Sequence, residues 1–187
     1  KYIRDFCNKN NILLIFDEVI CGFRTSWGGA SKKFGIMADL GCFGKSMANG
    51  YPLSALVGRK KYMKALEDVF VSGTFSGEIL SIAASIATIK KIKKRNVIEK
   101  LNQLGKKLKL ELNNIIEDSS MSGDLIFEGN NWWPRLNIKS IEIDQSLFQT
   151  LLRQELIANG LFMGASLNLC LAHSENKIFN DTLKRFQ

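Results

Sequence analysis

Residues 12–18 read Ile-Leu-Leu-Ile-Phe-Asp-Glu. Residues 12–16 form a continuous apolar run, and at this length the run predicts a strand buried on both faces rather than a helix. Asp17 and Glu18 end it. Two acids at the carboxyl end of a buried parallel strand lie where open α/β sheets place their ligands, which makes both candidate site residues. A helix or loop cap is the competing reading.

Outward from that strand, residues 22–50 are rich in glycine and poor in periodicity, as expected of loops around a site. Residues 53–57 and 69–71 predict further short strands. Apolar residues at 79, 82, 83, 86, 89 and 92 predict a helix over 76–93, with small side chains for close packing on a sheet. After a break near Asn96, spacings of three and four from Val97 to Ile115 predict a second long helix. A polar stretch at 118–123 leads into a smaller α+β unit. It comprises a strand over 136–143, a helix over 145–158 capped by Asp144 and closed by Asn159-Gly160, a strand over 161–163, and a helix over 174–186 with Ser174 as N-cap. The expected organisation is two domains, 1–95 and 96–187.

The chain has 187 residues, 45% apolar and 10% aromatic, enough for a substantial core and too hydrophobic for disorder. No apolar run approaches the length of about 18 residues that a spanning helix needs, so no membrane partner is expected. Four cysteines without a CxxC pair and a single histidine do not make a zinc site, and they fit a reducing, cytoplasmic setting. The formal charge is +8, much of it local: nine Lys/Arg against one acid between Lys90 and Lys109. Without interleaved aromatics this reads as a solvated helix face, not a nucleic-acid site. The first residues lack the pattern of a secretory signal and the starting methionine, and truncation upstream is expected.

Gly44-Lys45-Ser46 invites comparison with a phosphate-binding P-loop, which needs a glycine five positions before its lysine-bearing end. Asp39 stands there, and Gly50 and Pro52 follow too soon for the long helix a P-loop opens. A lysine in a glycine-bordered loop also serves as an amine nucleophile in Schiff-base chemistry. Pyridoxal phosphate (PLP) supplies the carbonyl partner, and its ring nitrogen needs a carboxylate such as Asp17 to stay protonated.

FDEVICGFR (16–24), ADLGCFGKSMANGYPLSALVG (38–58) and SGTFSGE (72–78) together resemble the class III PLP-dependent aminotransferases, in family order and spacing. WGGASKKFGI (27–36), the GTFSG segment and residues 161–186 are most similar to glutamate-1-semialdehyde 2,1-aminomutase-like proteins. The resemblance covers nearly the whole chain as a carboxyl-terminal fragment.

That resemblance implies an α/β fold: a fold-type-I PLP-dependent transferase, represented by part of a large domain with a mainly parallel sheet plus a small α+β C-terminal domain. It implies PLP as cofactor, a small-molecule amino donor and carbonyl acceptor, and a homodimer with a shared active site. Lys45 would form the Schiff base, Asp17 would hold the pyridinium proton, and Val19 would pack on the ring. Thr74 would bind the cofactor phosphate from the neighbouring subunit; a turn or N-cap residue is its plain alternative. No metal is implied. The activity would be aminotransfer or, alternatively, intramolecular aminomutation, and an inactive structural subunit is a third reading. Glu18 and Arg24 stay unassigned. Glu78 replaces the asparagine usual after GTFSG, and it either points away from the phosphate or marks a different substrate. His173 and the Trp132-Trp133-Pro134 run read as structural, and Arg135 is a weak candidate for a substrate carboxylate.

Overall fold

In the computed structural model, which describes residues 1–140, 143–164 and 166–187, the chain forms two compact units, 1–98 and 99–187. The first unit opens with helix α1 (Tyr2–Lys9). Its closing turn uses Asn10 and Ile12, whose N–H groups donate to Phe6 and Cys7, with Asn11 at φ 53°. Ile12 is therefore spent closing a helix, and Leu14 bonds to Asp39 just ahead of the strand. Strand β1 starts three residues later than expected and runs Ile15–Glu18, so Asp17 and Glu18 lie within it rather than ending it. Its two faces also differ: Ile15 and Asp17 are exposed, whereas Phe16 and Glu18 face inward. The expectation of burial on both faces is corrected accordingly.

The glycine-rich stretch is more ordered than a set of loops. It holds helix α2 (Gly29–Phe34), ended by Gly35 at φ 65°, and strand β2 (Leu40–Phe43). β2 pairs in parallel with β1, Asp17 opposite Cys42 and Glu18 opposite Phe43. Strand β3 (Ala55–Gly58) then pairs with β2 antiparallel, so this three-stranded sheet, ordered β1-β2-β3, is mixed. Helix α3 (Lys60–Met63) follows. Residues 69–71 are not a strand; among the described residues no strand pairs with them, and Phe70 is 94% exposed.

Helix α4 (Ile79–Lys94) begins at Glu78, whose carboxylate accepts the N–H of Leu80 and of Ser81. The sequence pattern predicts a covering helix whose small side chains allow close packing on a sheet. Ile79, Ile82 and Ile86 are exposed, and Ser81 and Ser85 are buried. Of the small residues, Ser81 and Ser85 face inward while Ala83 and Ala87 are exposed, and α4 packs beside a short 3-10 turn at Lys45–Met47.

Asn96, at φ 50°, separates α4 from helix α5 (Val97–Glu117). Leu101, Leu108, Leu112 and Ile116 are the buried stripe of α5 in the second unit. A glycine in mid-helix is costly by itself, but a Cβ at Gly105 would run into the Asn131 carbonyl, so a side chain is excluded there. Residues 125–138 form a hairpin, β4 (Leu125–Asn130) and β5 (Trp133–Ile138), of which β4 was not anticipated. Asn113 of α5 clamps it, donating to the Phe127 carbonyl at 3.0 Å and accepting the Phe127 N–H at 2.7 Å. The strand expected over 136–143 ends at Ile138, and its residues 141 and 142 lie outside the described residues.

Helix α6 (Gln145–Ala158) has the expected cap, Asp144 accepting from Ser146 and Leu147, and Gly160 follows its end at φ 75°. Residues 161–163 are not a strand, because the Leu161 N–H is used to close α6 on the Leu156 carbonyl. Helix α7 (Asn176–Phe186) has Glu175 as its N-cap rather than Ser174. Ser174 belongs to the preceding 3-10 turn and donates its hydroxyl to Leu171. In this second unit Leu108, Leu112, Phe127, Trp132 and Phe179 supply a core of large side chains.

Candidate active site

The carboxyl ends of β1 and β2 lie side by side, because the two strands are parallel and in direct register. Asp17 is exposed on β1. Its Oδ1 accepts the N–H of Val19 at 3.0 Å, which turns the chain away from the strand, while Oδ2 receives no hydrogen bond from a described residue. On the neighbouring strand β2 ends at Phe43, Gly44 continues extended, and Lys45 enters the 3-10 turn. Lys45 is exposed, its Nζ pairs with no described residue, and its backbone stands at φ 39°, a region non-glycine residues seldom occupy. Val19 lies beside Gly44: a Cβ there would stand in ordinary contact with Val19 Cγ1, at 3.5 Å.

Glu18, one residue from Asp17, is 2% exposed. Its Oε1 accepts the Ala30 N–H at 2.5 Å, and its Oε2 accepts the Cys21 thiol at 3.1 Å. A Cβ on Gly29, itself at φ 61°, would collide with that carboxylate. Burial, and then the hydrogen bond and charge of Glu18, push the Cys21 thiol up to about 11. The loop between Glu18 and Gly29 is thereby fastened at both ends by one side chain. From this loop Phe23 packs edge-on against Phe43, ring centroids 6.0 Å apart, and Arg24 Nε donates to Ser46 Oγ at 2.9 Å.

The opposite end of the strands is held by Asp39, just before β2. Its carboxylate accepts the Leu14 N–H at 2.9 Å and Arg4 at 2.7 Å, with Arg59 3.4 Å away. The Leu14 N–H first, then the Arg4 hydrogen bond and the two guanidinium charges, hold this carboxyl below its ordinary value despite its burial.

A model of the family described as aminotransferase class-III matches residues 1–161. The chain belongs to the class III aminotransferases. It is 36% identical to the 3-aminobutyryl-CoA aminotransferase of Cloacimonas acidaminovorans over 182 residues, 94% of this chain and 43% of that protein. It is 34% identical to the glutamate-1-semialdehyde 2,1-aminomutase of Archaeoglobus fulgidus over an alignment of 193 residues, 95% of this chain and 46% of that one. Among solved structures, the PLP internal aldimine form of the FumI protein of Sphingopyxis sp. MTA144 superposes with a TM-score of 0.84 at 28% identity, over 98% of this chain and 44% of its own. An omega-transaminase from Sphaerobacter thermophilus shares the fold, with a TM-score of 0.87 at 19% identity over 99% of this chain and 45% of its own. The fold is thus that of part of a fold-type-I transferase, and the chain spans about half the length of the relatives it matches.

Within this class III chain, Asp17, Val19 and Lys45 are gathered at one end of one strand pair. Thr74 lies outside that strand pair, exposed in a turn over residues 74–77 and making no bond of its own to a described residue. Glu78 accepts from Leu80, Ser81 and the Ser81 hydroxyl, which lowers its carboxyl below the ordinary value and aims it into its own helix. In the second unit His173 Nδ1 accepts the Cys170 N–H at 3.1 Å, a local turn contact, and Arg135 is exposed on β5. Sequence reasoning did not see the tie from Glu18 to Ala30 or from Arg24 to Ser46. The cramped glycine pair at 28–29 was the available signal for the first.

Proposed function

We propose that the full-length protein transfers amino groups with PLP, from a small-molecule amino donor to a carbonyl acceptor. The observation that carries this reading is the pairing of a lysine amine and a carboxylate oxygen, neither bonded to another described residue, at the same end of adjacent parallel strands in a chain of the class III family. Those residues suit the cofactor chemically. When bound, PLP supplies an amine-reactive carbonyl and a ring that accepts electrons from the substrate Cα.

Asp17, whose Oδ2 is free of described partners, would accept the ring N–H and keep that nitrogen protonated through charge and hydrogen bonding. Val19, beside Gly44, offers an apolar surface to one ring face. Lys45 Nζ would hold the cofactor through its carbonyl carbon and, as a free amine, would take a proton from the substrate Cα and deliver it to that cofactor carbon, across the amino nitrogen. Thr74, in its exposed turn, would reach the cofactor phosphate of a neighbouring subunit in a homodimer. Glu78 leaves this role to Thr74, since its charge is turned into α4. Four free thiols favour a reducing, cytoplasmic setting, and no described helix is long and apolar enough to cross a membrane.

In the test, full-length protein loaded with PLP is reduced with borohydride and mapped by peptide mass. Cofactor fixed on Lys45 is expected; fixation on another lysine, or none, overturns the reading. The 34% identity to an aminomutase favours a second reading, intramolecular transfer. Product formed without any external donor or acceptor identifies it.

A further inference from the structure

We infer that Arg24 is a positioning residue for Lys45, acting through the hydroxyl of Ser46. The inference rests on the proposed role of Lys45 and deepens it. Lys45 sits in a left-handed backbone conformation at φ 39°, which an L-residue holds only when its surroundings impose it. The 3-10 turn closing behind it contributes the Lys45 carbonyl as acceptor for the N–H of Ala48 and Asn49, and the Gly44 carbonyl for that of Met47. These bonds fix the far side of the turn. The near side is gripped from the loop after β1.

That loop touches the chain on both flanks of the lysine. Phe23, itself at φ 60°, packs on Phe43, two residues before Lys45; Arg24 donates to Ser46, the residue after it. The loop has a rigid base, since Glu18 ties it at Cys21 and at Ala30, and Gly22 leaves no room for slack: a Cβ there would lie 2.6 Å from the Phe43 ring. Ser46 Oγ is thus a fixed point 22 positions away in sequence from the guanidinium that holds it. With Ser46 pinned, rotation of the Lys45 backbone out of its strained well would require breaking a charge-assisted hydrogen bond. Asp17 lies on the strand that leads into the same loop, so one element sets the spacing of carboxylate and amine.

The test uses full-length protein carrying PLP, with Ser46→Ala, Ser46→Thr, Arg24→Gln and the double variant Arg24→Gln/Ser46→Ala. Three quantities are read: the rate at which apoprotein forms the Lys45-linked cofactor, the pH midpoint of the visible band, and the thermal midpoint as a folding control. Ser46→Ala is expected to slow linkage about tenfold and to move the pH midpoint by about one unit, the scale of one lost charge-assisted hydrogen bond. Ser46→Thr, which keeps the hydroxyl, is expected to restore both. In the Arg24→Gln background, Ser46→Ala is expected to change nothing further. Should Ser46→Ala fail to fold, Ser46→Cys, with its weak acceptor, takes its place and is expected to behave the same way. Linkage and pH midpoint unchanged in Ser46→Ala, or an undiminished Ser46→Ala effect in the Arg24→Gln background, overturns the inference while cofactor still maps to Lys45. Borohydride trapping away from Lys45 in the unaltered protein overturns the proposed function itself, a distinct result.

Discussion

Asp39 and Asp17 are both carboxylates on the β1–β2 pair, and the fold treats them oppositely. Asp39, at the amino ends of the strands, is enclosed: Leu14, Arg4 and Arg59 supply it with a backbone donor and two cations. Asp17, near the carboxyl ends, is exposed, and one of its oxygens is unengaged by any described residue. A satisfied charge fastens α1, β2 and the end of β3 to one another. An unsatisfied charge is left where a ligand can complete it, which is the division of labour expected of an open α/β sheet.

The comparison breaks most decisively at Lys45. Lys45→Ala in the full-length protein is expected to lower kcat by about a thousandfold or more, the range for losing an essential proton-transfer group, while the unfolding midpoint stays put. Steady-state kinetics beside a thermal melt checks it; retained turnover would mean the carboxyl ends are not the reacting ends. Asp17→Asn keeps shape and removes charge, and a loss of about a hundredfold is expected, with cofactor still fixed on Lys45 by borohydride.

Asp39→Asn should do the converse. It is expected to lower the unfolding midpoint by roughly 5–10 °C, because two guanidinium groups lose their anion, and to leave the site of cofactor attachment unchanged. Acid sharpens the point. The folded carboxyl of Asp39 lies below its unfolded value of about 3.9, so its contribution to stability is present above that pH and lost as the pH falls through the lowered folded value. Unfolding measured from about pH 6 to about pH 2 should show an acid limb that is shallower in Asp39→Asn. The smallest expected effect is at Cys21. With its thiol pushed up to about 11, roughly one molecule in a thousand carries the thiolate at pH 8, so iodoacetamide should label exposed Cys170 well before Cys21. Peptide mass mapping of partly alkylated protein decides it.

What the sequence made legible was local. Asp144 before an apolar repeat and Gly160 after it marked α6, and the three-four spacing marked α5, because caps and periodicity act over a few residues. Strand limits were harder. The run at 12–16 was apolar enough to be all strand, but α1 needed its first residue for a closing turn. The valines at 69 and 71 favour β structure locally, yet a strand exists only where a partner offers a ladder, and none does among the described residues. The isoleucines of α4 showed a helix without showing which way it faces, since small buried serines were as good a packing surface. At the site, Asp17 and Lys45 stood out by their motifs. Arg24 and Asp39 did not, because their partners at Ser46 and Arg4 are set by tertiary approach and not by spacing.

Gly29 and Glu18 have a consequence for heredity. Any side chain acquired at position 29 would evict the acid from its niche, and a shortened or neutral residue at 18 would leave the Ala30 amide without an acceptor. Neither position can drift alone. Divergent descendants of this gene should therefore either keep both residues or replace them in concert, and a lineage that has lost only one should show a second change nearby that refills the gap.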